Sequence, residues 1–268
     1  MTVYESMPED VELLRVKQHL LSISGFESKV AAAIRHAIDE VISGRYTGRF
    51  SIDQIDKTEK TYIGTKVQHM IQHHLNLPYG KKLDTVIAGI DVDIKFTIGK
   101  NWTIPLEAVD ELCLLVSAQD EKSTFQVGLI RTTSNVLNMG KNRDGKRTIN
   151  QSGRKKINWL IEEGALPRNV LLSIPSEKIE KIFANKSGQD RINELFRLCP
   201  EIVFNSAAIE SVASQKDSSK RVRDARRALE KEGIMIYSGY DNEQITLHGL
   251  NPIKKEEFIS IYSLTKMT

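Results

Sequence analysis

The side chains best suited to chemistry are densest in one run of the chain, Leu83-Asp84-Thr85-Val86-Ile87-Ala88-Gly89-Ile90-Asp91-Val92-Asp93-Ile94-Lys95-Phe96. Along a β-strand successive side chains point to opposite faces. Asp91, Asp93 and Lys95 therefore share one face, and Val92, Ile94 and Phe96 share the other. The second set is an ordinary core face. The first stacks acids at close spacing, which is an odd choice for a face meant only for solvent. If Ala88-Gly89 is a two-residue hairpin turn, with Gly89 supplying the unusual backbone angles, Ile87 pairs with Ile90, Val86 with Asp91, and Asp84 with Asp93. Directly opposed carboxylates repel, so this arrangement calls for a cation. Magnesium takes about six oxygen ligands, usually one or two carboxylates completed by waters and phosphate oxygens. Asp84 and Asp93 offer the carboxylates, and the peptide carbonyl of Ile94 offers another oxygen. Lys95, two strand positions from Asp93, can orient an attacking water or help to take its proton. These are the parts of a metal-dependent phosphodiester hydrolase. An Asp-x-Lys triplet by itself is weak, since exposed strands often alternate charges; Asp84 across the hairpin and the apolar reverse face sharpen it.

The elements that must hold these residues follow from periodicity. From Val11 to Ser43, apolar residues recur at three- and four-residue spacings, which predicts two helices broken at Gly25 and ended at Gly44. A third helix is predicted over Gly64 to Leu75, with Val67, Met70, Ile71 and Leu75 on one face. Between Leu83 and Arg131 the period becomes two, with short strands at Val86–Ala88, Ile90–Thr97, Leu112–Ser117 and Phe125–Arg131. After Gly153 the spacing of Ile157, Leu160 and Ile161 predicts helix again. Pro167 in Ala165-Leu166-Pro167-Arg168-Asn169 marks a domain boundary. Residues 1–165 form the first predicted domain, 166–172 a linker and 173–268 the second domain.

The second domain reads as helices over Gln189–Leu198, Asn205–Ser214 and Ser218–Glu232, then strands at Ile234–Tyr237 and Gln244–Leu247. Asn205 or Ser206 is a natural cap for the middle helix, Ser218 or Ser219 for the last, and Gly233 ends it. On that last helix Val222, Ala225 and Leu229 make an apolar stripe. Lys220, Arg221, Arg223, Arg227 and Lys231 spread over the rest. Helix, turn, basic helix and wing is the order of a winged helix-turn-helix, whose second motif helix enters the major groove.

The net charge of +3 decides nothing by itself, but its distribution does. Lys141, Arg143, Lys146, Arg147, Arg154, Lys155 and Lys156 face the single acid Asp144 across one segment, and the basic helix forms a second cluster. Two such clusters suit a protein that holds a polyanion at defined places. Asp144-Gly145 would turn the loop Lys141–Lys146, whose bases suit phosphate contacts. A chain with 40% hydrophobic and 27% charged residues is neither disordered nor fibrous. No apolar run approaches the ~18–20 residues of a membrane span, and the acidic start lacks the form of a signal peptide. A cytoplasmic location follows, with Cys113 and Cys199 as reduced core thiols. His69 and His73 stand one turn apart. Met70 occupies the place of the glutamate that a zinc protease helix needs, so these histidines read as a helix surface near the polyanion. Trp102 reads as a packing residue.

Taken together, Lys57-Thr58-Glu59-Lys60-Thr61, Ile63-Gly64-Thr65, Ala88 to Lys95, Trp102-Thr103-Ile104-Pro105, Leu112-Cys113-Leu114, Asn142 to Thr148 and Arg221 to Arg226 resemble the NaeI family of type II restriction endonucleases. The likeness spans roughly Val30 to Leu247. It implies an α+β protein: an N-terminal endonuclease domain of the PD-(D/E)XK kind, a mixed sheet flanked by helices, followed by a mainly helical winged-helix domain. It implies a homodimer that cuts double-stranded DNA at a specific site and binds a second DNA copy as effector. The family's metal-binding aspartates fall on Asp84 and Asp93 and its catalytic lysine on Lys95, with magnesium as the metal. One position departs: spacing puts Gln68 where the family has a glutamate. A neutral amide supplies no charge, so metal binding would weaken or the role would pass to an acid such as Glu59. Two other readings fit the same residues. One is a DNA-binding regulator with an impaired nuclease domain, which Gln68 favours; the other is a repair or methylation-sensing endonuclease on the same scaffold.

Overall fold

In the computed structural model, which describes residues 10–99, 101–140 and 142–263, the helical periodicity of the first forty residues becomes α1 (Val11–Ser22) and α2 (Phe26–Ile42). Asp10 caps α1, its carboxylate accepting from the Leu13 amide at 3.0 Å. Gly25, at φ +69°, separates the two helices. The second ends at Ile42, one residue before the expected Ser43: Ser43 takes the left-handed conformation, and Gly44 opens a single turn, α3 (Gly44–Thr47). Helix α4 (Lys57–Leu75) starts seven residues before the expected Gly64 and buries Ile63, Val67, Ile71 and Leu75, a run at four-residue spacing.

The strands follow as β1 (Thr85–Ile87), β2 (Ile90–Thr97), β3 (Thr103–Ile104), β4 (Leu112–Gln119), β5 (Thr124–Arg131) and β6 (Arg147–Thr148). After the short α5 (Gln151–Lys155), the chain enters β7 (Asn158–Ala165) where helix was expected. Ile157, Leu160 and Ile161 mimic helical spacing, but this segment pairs antiparallel with β5. The main sheet has the order β1-β2-β4-β5-β7, with β2 and β4 parallel and the other pairs antiparallel. β4 is buried along nearly its whole length, as a central strand covered on both faces must be. β3 and β6 pair separately. Trp102 is buried, its indole N–H donating to the Val116 carbonyl at 2.8 Å.

The described residues group into two units. One comprises the residues up to Val41 with Lys57–Arg168, the other Ile42–Asp56 with Asn169 onward. The second holds α6 (Ser176–Phe183), α7 (Gly188–Leu198), β8 (Phe204–Asn205), α8 (Ser206–Ala213), α9 (Ser218–Leu229), β9 (Ile234–Ser238), α10 (Asn242–Leu247) and β10 (Glu257–Tyr262). Its core joins Ile192, Leu195 and Phe196 of α7, Ile209 and Val212 of α8, and Val222, Ala225 and Leu229 of α9. Asn205 caps α8 through the Ala208 amide at 2.8 Å. Neither Ser218 nor Ser219 caps α9. Asp217 does, accepting from the Lys220 amide at 3.0 Å, while Ser218 is the first helical residue. Gly233, at φ +78°, ends the run as expected. Gln244–Leu247 is not a strand: it belongs to α10, with only Ile245 buried and Leu247 79% exposed. A strand would put Ile245 and Leu247 on one face, whereas only Ile245 is buried. β10, with Phe258, Ile259, Ser260 and Ile261 all buried, pairs with β9 and β8 to give a three-stranded sheet of order β8-β10-β9.

Candidate active site

The hairpin forms in the register that a two-residue turn at Ala88-Gly89 predicts, as far as Thr85 with Val92; the expected pair of Asp84 with Asp93 falls outside the ladder. Val86 pairs with Asp91 and Ile87 with Ile90, around Ala88 and Gly89 at φ +52° and +81°. The apolar face of β2 is buried as Val92 and Ile94. Asp84 sits one residue ahead of β1, and its Oδ2 accepts from the Ile94 amide at 2.8 Å. That bond draws the carboxylate towards β2. On the other face Lys95 Nζ donates to Asp93 Oδ1 at 2.8 Å and lies 3.7 Å from Asp84 Oδ2. Two carboxylates thus converge on one ammonium group. Ile94 takes part through its peptide rather than its side chain: the N–H meets Asp84.

Asp93 is buried at 3% exposure. Burial, with Asp84 adding its negative charge, raises its carboxyl to about 7 against the pull of Lys95. Lys95 is also mostly covered. Burial works to lower its ammonium, but the charges of Asp93 and Asp84 outweigh this and hold it above the usual lysine value. From the strand alongside, Cys113 is registered with Asp93, and its thiol donates to Asp93 Oδ2 at 3.8 Å. Burial and then the neighbouring Asp93 push that thiol upward, so it is a weak donor and no nucleophile. Cys113 and Cys199 are both free and buried.

Helix α4 reaches this site through Gln72. Its Nε2 donates to the Asp84 carbonyl at 2.7 Å, and the residue is 3% exposed. Gln68, one turn earlier, is half-buried, and its side chain forms no hydrogen bond with the described residues. The signal for Gln72 was present in the sequence as an amide on the buried face beside Ile71 and Leu75. Its partner, a main-chain carbonyl twelve residues away, could not be seen there. Among the described residues no three or more His, Cys, Asp or Glu side chains gather as a metal cage. The oxygen donors here are two carboxylates and a peptide carbonyl, a hard set that fits a cation completing its shell from water and phosphate. His73 and His74 pack edge to face at 5.7 Å on α4, and burial lowers His74.

The basic residues separate into two kinds. Arg147 is tied down, donating to the carbonyls of Asn138, Ser134 and Leu137. Arg143 and Lys146 are exposed on a loop whose turn is Asp144-Gly145, with Asn142 Oδ1 accepting from the Asp144 and Lys146 amides. Lys141 lies outside the described residues. On α9, Arg221 is committed to Gln189 and Gln215, and Arg226 to the Ile236 carbonyl and Asp241. Lys220, Arg223 and Arg227, spaced three and four apart on one stripe, are exposed and form no ion pair with described residues. No helix among the described residues is long and apolar enough to cross a membrane.

Residues 14–263 match the family described as Restriction endonuclease NaeI. The Type II restriction enzyme NaeI of Lentzea aerocolonigenes is 36% identical over 247 residues, covering 88% of this chain and 77% of that protein. A match of this extent, through both units and through the hairpin that carries Asp84, Asp93 and Lys95, means that the chain belongs to the NaeI family and is a type II restriction endonuclease.

Proposed function

We propose that the chain cuts both strands of double-stranded DNA at a specific sequence by magnesium-dependent hydrolysis, with Asp84, Asp93 and Lys95 as its centre. The observation that carries this is the meeting of two carboxylates on Lys95 at the mouth of an apolar hairpin. Asp84, Asp93 and the Ile94 carbonyl would hold the metal. A strand residue points its N–H and C=O to the same side, so the carbonyl of Ile94 shares the side on which its N–H meets Asp84. When bound, magnesium lowers the pKa of the attacking water and offsets charge building on the phosphate. Lys95 Nζ, which donates to Asp93 Oδ1 at 2.8 Å, would also donate to the attacking water or to a phosphate oxygen. Cys113 and Lys95 hold opposite oxygens of Asp93 and so fix the plane of its carboxylate. Gln68 adds an uncharged amide to the α4 face.

The second unit would act as a winged-helix module, with α8 and α9 as the helix-turn-helix and β9–β10 as the wing. Lys220, Arg223 and Arg227 would meet the DNA, while Arg221 sets the helix in place. In the first unit Lys141, Arg143 and Lys146 contact phosphates, and Arg147 shapes their loop. The enzyme works in the cytoplasm as a homodimer, because cutting two strands symmetrically takes two copies of the site, and the second unit offers a place for an effector copy of DNA. Asp93→Ala is expected to shift DNA on a gel as the parent does while cutting more than a hundredfold more slowly. Undiminished cutting would refute the assignment. Gln68 supports a second reading, a DNA-binding protein with an impaired site, for which the parent itself would bind DNA and leave it intact.

A further inference from the structure

We propose that Gln72 is a positioning residue for Asp84, holding that carboxylate where a divalent cation needs it. The inference rests on the reading of Asp84 as a metal ligand. Asp84 lies outside the β1–β2 ladder, whose last pair is Thr85 with Val92, so strand pairing does not fix it. Its main-chain carbonyl is held by two donors, Gln72 Nε2 at 2.7 Å and the Gly80 amide at 3.2 Å. Its carboxylate is held by the Ile94 amide at 2.8 Å. With carbonyl and carboxylate both anchored, the Asp84 side chain has little freedom left.

The other atom of the Gln72 amide shows why a glutamine stands there. Its Oε1 is fully buried and has no hydrogen-bond partner among the described residues. A buried acceptor left unmade is costly, and the neighbouring core positions of α4, Val67, Ile71 and Leu75, are aliphatic. Packing alone would favour an aliphatic side chain at position 72 too. The glutamine costs the fold and serves the site through its one donated bond. The approach of the 80–84 turn is equally close, since a Cβ on Gly80 would stand 2.3 Å from the Leu83 carbonyl.

The test uses the full chain and Mn²⁺ alone, counting the free ion by its paramagnetic resonance signal, with thermal melts in EDTA. Gln72→Met keeps the volume, removes the orphaned oxygen and leaves the Asp84 carbonyl its Gly80 partner. Its melting temperature is expected within about 3 °C of the parent. Its dissociation constant for Mn²⁺ is expected about tenfold higher, and slowed cutting should recover as Mg²⁺ is raised. Should Gln72→Met melt far lower, Gln72→Leu, which likewise has neither the amide donor nor the orphaned oxygen, is read the same way. Mn²⁺ binding within twofold of the parent, while Asp84→Asn binds far more weakly, would overturn the positioning role. If Asp84→Asn itself binds Mn²⁺ as the parent does, the metal reading of Asp84 falls, and this inference with it.

Discussion

Asp93 is buried beside a second carboxylate, and both conditions raise its carboxyl to about 7 from the usual 3.8. The sign of the consequence is fixed. Between those two values the unfolded chain gives up a proton that the folded chain keeps, so this residue costs stability as pH rises through that window, in full above about 7. An amide in its place has no charge to bury. Asp93→Asn is therefore expected to melt higher than the parent in EDTA, by more at pH 8 than at pH 4.5; an equal gain at both would contradict the account. The meeting of Asp84, Asp93 and Lys95 was legible in the sequence because the alternation of a strand and the geometry of a two-residue turn bring them together. Gln72 was not, because its partner is a backbone carbonyl at the end of a loop, and no side-chain pattern reports where a loop carries its main chain.

Helix α9 divides its arginines and lysines by what they touch. Val222, Ala225 and Leu229 seat it on the core, and Arg221 and Arg226 commit their guanidinium groups to neighbouring elements. Lys220, Arg223 and Arg227 remain outward. Replacing each of these three with alanine is expected to weaken DNA binding and flatten its salt dependence, by about one unit of slope for each phosphate the variant no longer meets. Arg226→Ala is expected to lower the melting temperature instead. Binding curves at several salt concentrations, beside thermal melts, separate the two kinds; an unchanged slope in the outward variants would exclude α9 from the DNA interface. The same unit shows where periodicity misleads. Four residues at Gln244–Leu247 alternate like a strand, yet the Asn242 side chain exchanges hydrogen bonds with Ile253 and Thr246 bonds back to the Asn242 carbonyl, so the segment closes as helix. β10 supplies the strand instead. Likewise Ile157, Leu160 and Ile161 fall at helical spacing, but the edge of β5 was open to pair with the chain there, and pairing decided it.

Over the whole chain a net charge of +3 on 268 residues gives no strong attraction to DNA. Binding must come from particular cations placed where phosphates pass. Each unit has its own apolar core, one around Phe196 and Phe204, another beneath Trp102 and Ile130, and each carries exposed cations of its own. This distribution suits a protein that grips DNA at separate places and cuts at one of them. The most direct test is to incubate the purified protein with a complex unmethylated phage DNA, in magnesium and in EDTA, and to map any ends. The expected result is a set of discrete fragments that share one palindromic end sequence, form only with magnesium and vanish with Asp93→Ala. Intact DNA in magnesium, or fragments that persist in EDTA, would contradict a magnesium-dependent, site-specific cut at this hairpin.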